Sequence, residues 1–239
     1  MKPSLMDISE LDVILLCGGL GARLRSVTNE LPKVMVEVEG EPFLNFIIRH
    51  LKSQGVERVI LCTGYQAQVV ENYYRKNDFE IVIDYSREET PLGTGGAIKN
   101  AREIIDSDEF FVLNGDCFCP VELKDMLKFH YQKKALATIA AHRIENADEF
   151  GTLEIKENKG IASFKEKMKG VINQYANAGV YCFNKEILNL FPEKDKFSLE
   201  VDVFPEMVNA KLFAFLTEKE FLDIGTPDRL QKAINLLKK

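Results

Sequence analysis

Residues 12–25 read DVILLCGGLGARLR, and this stretch sets the fold class. Its opening run, Asp12 to Leu16, is typical of a strand that is buried on both faces in a parallel sheet. Glycines at positions 18, 19 and 21 come next, with arginines at 23 and 25. Glycine lets backbone amides approach a phosphate chain closely, and arginine supplies positive charge beside it. The stretch therefore predicts a buried strand that leads into a phosphate-binding loop.

Two common phosphate-binding motifs do not describe this loop. A dinucleotide-binding G-x-G-x-x-G that starts at Gly19 would need glycine at position 24, where the chain has Leu24. A Walker A loop needs the dipeptide Gly-Lys, which occurs nowhere in the sequence. From the loop alone, an ordinary turn after a strand stays open.

The sequence beyond this loop alternates strand-like and helix-like stretches. Strands are predicted at 58–62, 80–85 and 110–113, and helical stripes of apolar residues at 44–51, 69–74 and 97–105. This alternation predicts a mostly parallel sheet with helices on both faces.

The second half of the chain is less regular. The pattern predicts a helix after Pro120, a strand at 135–141 and a final helix with Thr226 as its N-cap. Between 151 and 183, short strands are expected to form an antiparallel insertion. Because no repeat or Ser/Gly-rich linker divides the chain, we predict one domain over residues 1–239, with functional halves at 10–117 and 118–239.

Composition excludes several classes of partner. The net charge of −6 gives no general positive field for a nucleic-acid backbone, so a small ligand is expected. The five cysteines show no C-x-x-C spacing, which favours buried thiols over zinc or redox chemistry. Apolar runs are too short for a membrane span, and the first residues do not look like a signal peptide. We therefore expect a cytoplasmic protein that binds neither nucleic acid nor membrane; a homodimer stays open.

A family resemblance appears when the loop is combined with the motifs downstream of it. Gly18-Gly19-x-Gly21-x-Arg23 and the later Pro32-Lys33 resemble the signature of the sugar-1-phosphate nucleotidylyltransferases, and further motifs occur in the same order along nearly the whole chain. The resemblance implies a GT-A-like, three-layer α/β sandwich with a mostly parallel central sheet and a small antiparallel insertion. It also implies that a nucleoside triphosphate is joined to a sugar 1-phosphate with release of pyrophosphate.

The resemblance assigns roles in the first half of the chain. The glycines would wrap the triphosphate, Arg23 would bind the departing pyrophosphate, and Lys33 would neutralise phosphate charge. The stretch PLGTGGA at 91–97 resembles the family's base-side loop, although a glycine-rich turn capped by Thr94 would look the same. The implied nucleotide-binding residues are Leu16, Gly18, Gly19, Gly21, Arg23, Lys33, Glu89, Gly93, Thr94 and Gly95, and the catalytic residues are Arg23, Lys33 and Asp116.

Two aspartates match the family's metal motifs. Asp116 comes after the predicted 110–113 strand, and Asp223 lies in the stretch FLDIGTP. Mg²⁺ typically takes one or two carboxylates, with waters and phosphate oxygens as its other ligands. We therefore predict Mg²⁺ as the cofactor, provided that the fold brings the two aspartates together. The sugar-phosphate residues implied in residues 118–239 are Gly151, Glu166, Lys167, Asn177, Gly179 and Glu200.

The substrates are the least determined part. The stretches LCGGLGARL, LPKVM, ETPLGTGGAIK and FFVLNGD are most similar to the short bacterial heptose 1-phosphate guanylyltransferases, which make GDP-heptose for surface polysaccharide. Glu89 could accept hydrogen bonds from the N1 and N2 donors of guanine. Ala22, Ser26 and Val34 depart from the usual phosphate loop, so its contacts stay open. A thymidylyl-, uridylyl- or cytidylyltransferase acting on another phosphorylated small molecule also stays open.

Two rival classes share the expected fold. A GT-A glycosyltransferase should place Asp-x-Asp after a strand, whereas Asp106-Ser107-Asp108 precedes one and is interpreted as a loop. A non-catalytic nucleotide-sensing subunit would be expected to have lost charged residues of the site. This chain keeps Arg23, Lys33, Asp116 and Asp223, which argues against that class. For the enzyme we expect direct in-line displacement, because the phosphate nucleophile is already an anion and needs no general base.

Overall fold

The computed structural model describes residues 7–19, 21, 24, 31–146, 152–165, 172–208 and 210–237. Within these residues the strands are β1 (Asp12–Leu16), β2 (Glu37–Val38), β3 (Glu41–Pro42), β4 (Arg58–Thr63), β5 (Val82–Arg87), β6 (Glu109–Asn114), β7 (Cys117–Phe118), β8 (Ala137–Asn146), β9 (Thr152–Ile155), β10 (Ile161–Lys165), β11 (Ile172–Asn184), β12 (Leu212–Thr217) and β13 (Leu222–Asp223). The α-helices are α1 (Phe43–Ser53), α2 (Ala67–Lys76), α3 (Gly93–Asn100), α4 (Leu123–Lys133) and α5 (Pro227–Leu237). In this described part of the chain, every helix is too short or too polar to cross a membrane.

A nine-stranded sheet forms the centre of the described structure. Strands β5, β4, β1 and β6 are parallel neighbours in that order, and Ile14 of β1 lies between Ile60 of β4 and Val112 of β6. Strand β11 is antiparallel to β6, β8 is antiparallel to β11, and β12 is parallel to β8. The predicted α/β fold with a mostly parallel sheet is confirmed.

Alternate residues of the central strands feed two hydrophobic cores, one on each face of the sheet. Val13 and Leu15 of β1 pack into the core that contains α1, α2, α4 and α5. Ile14, between them, packs into the core that contains α3. Since all three side chains are fully buried, β1 is the double-sided interior strand that its apolar run predicted.

The region between 151 and 183 corrects one prediction. Strands β9 and β10 form a short antiparallel pair as expected, but β11 is a strand of 13 residues between β6 and β8. Gly179, with φ 67°, lies inside this strand. Its left-handed backbone lies where the register shifts between Asn177 and Tyr181, so the strand bulges and continues.

Several elements begin or end a few residues away from their predicted bounds. The predicted 97–105 helix ends at Asn100 and is succeeded by a separate 3₁₀ turn at Arg102–Ile104. The predicted 80–85 strand begins at Val82, and the predicted 135–141 strand continues to Asn146. The cap of α5 is confirmed, since Thr226 Oγ1 accepts a hydrogen bond from the Arg229 amide at 3.4 Å.

All five cysteines are free and buried, as the sequence predicted. Burial raises the pKa of each thiol, that of Cys119 to about 12. Thiolate is the reactive form, so these side chains act as small apolar core residues.

An ion-pair cluster ties together the edge of the sheet where the parallel strands begin. Arg58 of β4 binds Asp12 of β1 at 2.6 Å, Asp84 at 2.8 Å and Asp106 at 3.0 Å. The side chain of Asp12 is only 5% exposed. Asp106 therefore belongs to a structural cluster, and the stretch Asp106-Ser107-Asp108 lies in the loop before β6, as predicted.

We predict that Arg58→Met lowers the free energy of unfolding by about 2–4 kcal/mol, because it leaves the buried Asp12 carboxylate without its cation. Arg49→Met is the matched control, since Arg49 pairs with Glu41 but its side chain is 54% exposed. The control should cost about 0–1 kcal/mol. Urea denaturation of both variants measures the difference, and equal losses would contradict a structural role for the Arg58 cluster.

Candidate active site

A cavity of about 300 Å³ opens where β1 and β6 end side by side. In the parallel register Leu16, the last residue of β1, lies opposite Asn114, the last residue of β6. The carboxyl ends of parallel strands are where open α/β sheets bind their ligands. The cavity is lined by Leu16, Gly18, Gly19, Lys33, Val34, Glu88, Pro91, Gly93, Thr94, Ala97, Asn114 and Asp116.

The glycine loop forms one wall of this cavity. A Cβ atom on Gly18 would lie 2.6 Å from Glu88 Oε1, whereas a Cβ on Gly19 would meet no described atom within 4 Å. Gly21 has φ 56°, and a Cβ there would lie 3.0 Å from Lys33 Cβ. The loop backbone is therefore accessible from the cavity at Gly19 and tightly packed at Gly18 and Gly21. Ala22, Arg23, Arg25 and Ser26 lie outside the described residues.

Lys33 and Asp116 form an ion pair beside the loop. Lys33 Nζ donates to Asp116 Oδ2 at 2.6 Å, and the two side chains are 10% and 44% exposed. Pro32 precedes a short 3₁₀ turn, Lys33–Met35, that fixes the lysine against the sheet. An ammonium group has three donors, of which Asp116 takes one, so positive charge is held at the cavity wall with further donors to offer.

The fold brings Asp223 next to Asp116, although the two are far apart in the sequence. Strands β7 and β13 pair so that Asp223 lies opposite Cys117, and the Ile224 amide donates to the Asp116 carbonyl at 3.1 Å. Asp223 Oδ1 accepts from the Gly225 amide, and Oδ2 accepts from Arg229 Nη1 at 2.9 Å. Sequence reasoning missed Arg229, whose place in the first turn of the helix just after Asp223 could have identified it.

These two carboxylates fit Mg²⁺ by their chemistry. Among the described residues no group of three or more His, Cys, Asp or Glu side chains could hold a metal ion, as a protein-only cage would require. Mg²⁺ needs no such cage, since one or two carboxylates hold it together with waters and substrate phosphates.

Glu88, and not Glu89, lines the cavity. Glu88 is half-buried, its Oε2 accepts from the Leu92 amide at 2.9 Å, and burial raises its pKa. Glu89, the residue selected from the sequence, is exposed and is not part of the cavity lining. Ser86 is buried and Glu88 is two residues further, so the two-residue period of β5 was the signal that favoured Glu88.

The stretch 91–97 forms the start of α3. The helix begins at Gly93, so Thr94 lies inside its first turn instead of capping it, and that alternative is wrong. Thr94 Oγ1 donates to Glu200 Oε2 at 2.9 Å and accepts from the Leu199 amide at 2.9 Å. Helix α3 thus contacts a residue that was predicted for the sugar half.

The described sugar-half residues form one hydrogen-bonded group. Asn177 Oδ1 accepts from the Gly179 amide at 2.9 Å, and Asn177 Nδ2 donates to the Tyr181 hydroxyl at 2.8 Å. Tyr181 in turn donates to Glu200 Oε1 at 3.1 Å, and Ser198 donates to Glu200 Oε2 at 2.7 Å. Sequence reasoning missed Tyr181 and Ser198. Gly151, Glu166 and Lys167 lie outside the described residues.

The glycines of α3 serve close packing. A Cβ on Gly95 would overlap the Phe197 ring, and one on Gly96 would overlap the Asp195 carbonyl. A Cβ on Gly93, where φ is 77°, would lie 2.6 Å from the Phe197 carbonyl oxygen. The segment 195–200 therefore lies directly on the first turn of α3.

Comparison with known proteins identifies the class. The family model described as "Nucleotidyl transferase" matches residues 12–239. The chain therefore belongs to the nucleotidyl transferase family, which confirms the family that the sequence resemblance predicted.

Individual relatives narrow the comparison. The chain is 40% identical to the D-glycero-alpha-D-manno-heptose 1-phosphate guanylyltransferase of Aneurinibacillus thermoaerophilus, over 93% of this chain and 96% of the relative. It is 38% identical to the Campylobacter jejuni protein of the same name, over 91% and 96%. The crystal structure of HddC from Yersinia pseudotuberculosis has a TM-score of 0.86 and 35% identity, over 95% of this chain and 99% of that chain, and HddC has also been solved in complex with GMP-PN.

We predict that Gly95→Ala lowers the free energy of unfolding by about 1–3 kcal/mol, because the added methyl group overlaps the Phe197 ring. Alanine in an unhindered helical position would instead stabilise by about 1 kcal/mol, so the sign alone is informative. Gly19→Ala, whose methyl group would meet no described atom, is the control and should stay within about 0.5 kcal/mol. Thermal or urea unfolding measures both, and a stabilised Gly95→Ala would contradict the packing.

Proposed function

We propose that this protein transfers the guanylyl group of GTP to a sugar 1-phosphate, D-glycero-α-D-manno-heptose 1-phosphate, and releases pyrophosphate. The observation that carries the proposal is that one cavity contains the open backbone at Gly19, the Lys33–Asp116 ion pair and the Glu88 carboxylate. These are contacts for phosphates, for charge neutralisation and for a base with hydrogen-bond donors. The names of the two heptose 1-phosphate guanylyltransferases support the same substrates.

The chemical step is a single displacement. An oxygen of the sugar 1-phosphate forms a bond to the α-phosphorus of GTP while the bond between that phosphorus and the α–β bridging oxygen breaks. The electron pair leaves with pyrophosphate. The nucleophile is already an anion, so the protein has to position two anions and neutralise their repulsion.

Residues at the phosphate end supply that neutralisation. We propose that the amides of Gly18, Gly19 and Gly21 bind the triphosphate and that Lys33 donates to it from its fixed position beside Asp116. The role of Arg23 with the departing pyrophosphate rests on the family resemblance. Fixed positive charge and oriented amides lower the barrier because they need no reorganisation as charge develops.

Asp116 and Asp223 are the residues that would hold Mg²⁺. The ion, when bound, would supply positive charge to the phosphate oxygens and to the leaving pyrophosphate. The hydrogen bond from the Ile224 amide to the Asp116 backbone carbonyl supports this, since it joins the two turns that carry the carboxylates.

The two halves of the chain divide the substrates in this proposal. Residues 10–117 bind GTP and residues 118–239 bind the sugar phosphate within one domain. Glu200, Asn177 and Gly179 are the proposed contacts for sugar hydroxyls, while Gly151, Glu166 and Lys167 are proposed from the resemblance alone. We further propose a cytoplasmic reaction whose GDP-heptose product serves surface polysaccharide synthesis, in a homodimer or a monomer.

Pyrophosphate release is the experiment that tests the proposed function. The protein is incubated with Mg²⁺, one of GTP, dTTP, UTP or CTP, and the 1-phosphate of heptose, mannose, glucose or an N-acetylated sugar. We expect release with GTP and D-glycero-α-D-manno-heptose 1-phosphate above all other combinations. Preference for another triphosphate would contradict the guanylyl assignment, and nucleotide binding without turnover would favour the non-catalytic subunit.

Replacing Asp116 should remove turnover while the fold persists. Asp116→Asn is expected to lower kcat by roughly a hundredfold or more, because a charged ligand of the proposed Mg²⁺ is lost and with it the ion's stabilisation of the reacting phosphates. The exposed Asp125 provides a control, and Asp125→Asn should keep wild-type turnover. Near-normal activity of a folded Asp116→Asn variant, measured by pyrophosphate release across Mg²⁺ concentrations, would refute the metal assignment.

Base recognition is expected to depend on Glu88. A carboxylate can accept from both N1–H and N2–H of guanine, so Glu88→Gln should lower kcat/KM for GTP by about 10–100-fold. Glu89→Gln removes the same charge one residue away and should leave kcat/KM within about twofold. Competition between GTP and the other triphosphates measures both variants. Loss of the GTP preference in the Glu89 variant alone would instead assign base recognition to Glu89.

A further inference from the structure

Thr94 lines the cavity that is proposed to bind the nucleotide, but its hydroxyl group is hydrogen-bonded to residues 199 and 200. Its Oγ1 donates to Glu200 Oε2 and accepts from the Leu199 amide, both at 2.9 Å. A hydroxyl group has a single proton to donate. Thr94 therefore cannot donate to a nucleotide without releasing Glu200.

Glu200 is held by three side-chain donors. Thr94 and Ser198 donate to Oε2 at 2.9 and 2.7 Å, and Tyr181 donates to Oε1 at 3.1 Å. Burial raises the pKa of the Tyr181 hydroxyl, which keeps it a proton donor. A carboxylate has about four acceptor sites, so this arrangement fixes the orientation of Glu200 and still leaves a site for a ligand.

Backbone contacts fix the same two elements relative to each other. The amides of Gly95 and Gly96 both donate to the Phe197 carbonyl, at 3.1 and 3.2 Å, and the Phe197 amide donates to the Leu92 carbonyl at 2.9 Å. The Phe197 ring fits against the helix because Gly95 has no Cβ. The start of α3 and the segment 195–200 therefore form one hydrogen-bonded unit.

We infer that Thr94 is a positioning residue for the sugar-phosphate substrate: its hydroxyl orients Glu200 toward a sugar hydroxyl. The inference rests on the proposed function, in which Glu200 contacts the sugar, and it reassigns a residue that the cavity and the sequence both associate with the nucleotide. It predicts a defect in the KM for the sugar phosphate from a substitution inside the nucleotide cavity.

Steady-state kinetics with GTP and D-glycero-α-D-manno-heptose 1-phosphate test this inference. Thr94→Val keeps the branched shape and removes the donor, and we expect the KM for the sugar phosphate to rise about tenfold while the KM for GTP stays within about twofold. Thr94→Ser keeps the donor and should restore the KM toward its wild-type value. Ser198→Ala removes another donor to Glu200 from outside the nucleotide cavity and should produce the same selective rise.

The outcomes separate the inference from the function on which it rests. A rise in the KM for GTP alone, or equal rises in both KM values, would overturn the inference. So would unchanged KM values in an active Thr94→Val enzyme. A purely structural role would lower the melting temperature of Thr94→Val without a selective rise in the sugar-phosphate KM, and this also counts against it. Absence of turnover in the wild-type protein with every substrate pair would overturn the proposed function first.

Discussion

The cleft depends on the parallel pairing of β1 with β6, which ends both strands at the same edge of the sheet. Leu16 lies opposite Asn114 in that register, so the glycine loop after β1 and the Gly115-Asp116 turn after β6 leave the sheet side by side. Both strands are buried among apolar neighbours on both faces. A shift of one residue would turn every side chain of either strand to the opposite core, so close packing in both cores fixes the register and with it the place where the site forms.

Glycine has two separate uses around this cleft. At Gly19 the missing side chain leaves open space above the backbone, which suits a phosphate chain. At Gly95 and Gly96 the space that a side chain would fill is occupied by the Phe197 ring and the Asp195 carbonyl. These contacts pack α3 against the segment that carries Glu200. The same residue type thus shapes a binding surface in the first loop and a packed contact in the second.

Local patterns in the sequence predicted the interior of the first half well. The apolar runs of β1, β4 and β6 were sufficient to predict these strands, because each strand is buried on both faces and is bounded by clear turns. The central place of β11 could not be predicted, since the glycines between 151 and 183 suggested only short strands, whereas β11 continues through a bulge at Gly179. Its pairing with β6 is decided by packing that a local pattern does not contain.

The sequence suggested the residue types of the candidate site, but not which of these residues lie next to each other. Asp116 and Asp223 were paired only through the family resemblance, because nothing local shows that β7 and β13 are neighbours. Which of Glu88 and Glu89 lines the cavity depends on the direction in which each side chain points after β5. The hydrogen bond from Arg229 to Asp223 depends on the orientation of the first turn of α5. The roles of all these site residues stay predictions, and Arg23, Gly151, Glu166 and Lys167 also lie outside the described residues.

A crystal structure of the protein with Mg²⁺ and a non-hydrolysable GTP analogue would test the proposed site as a whole. We expect guanine on the Glu88 carboxylate, the triphosphate along Gly18 to Gly21 with Lys33, and one metal ion shared by Asp116 and Asp223. We also expect that Thr94 still donates to Glu200. A nucleotide bound elsewhere, or in this cavity with its base away from Glu88 and its metal away from both aspartates, would contradict the proposed site.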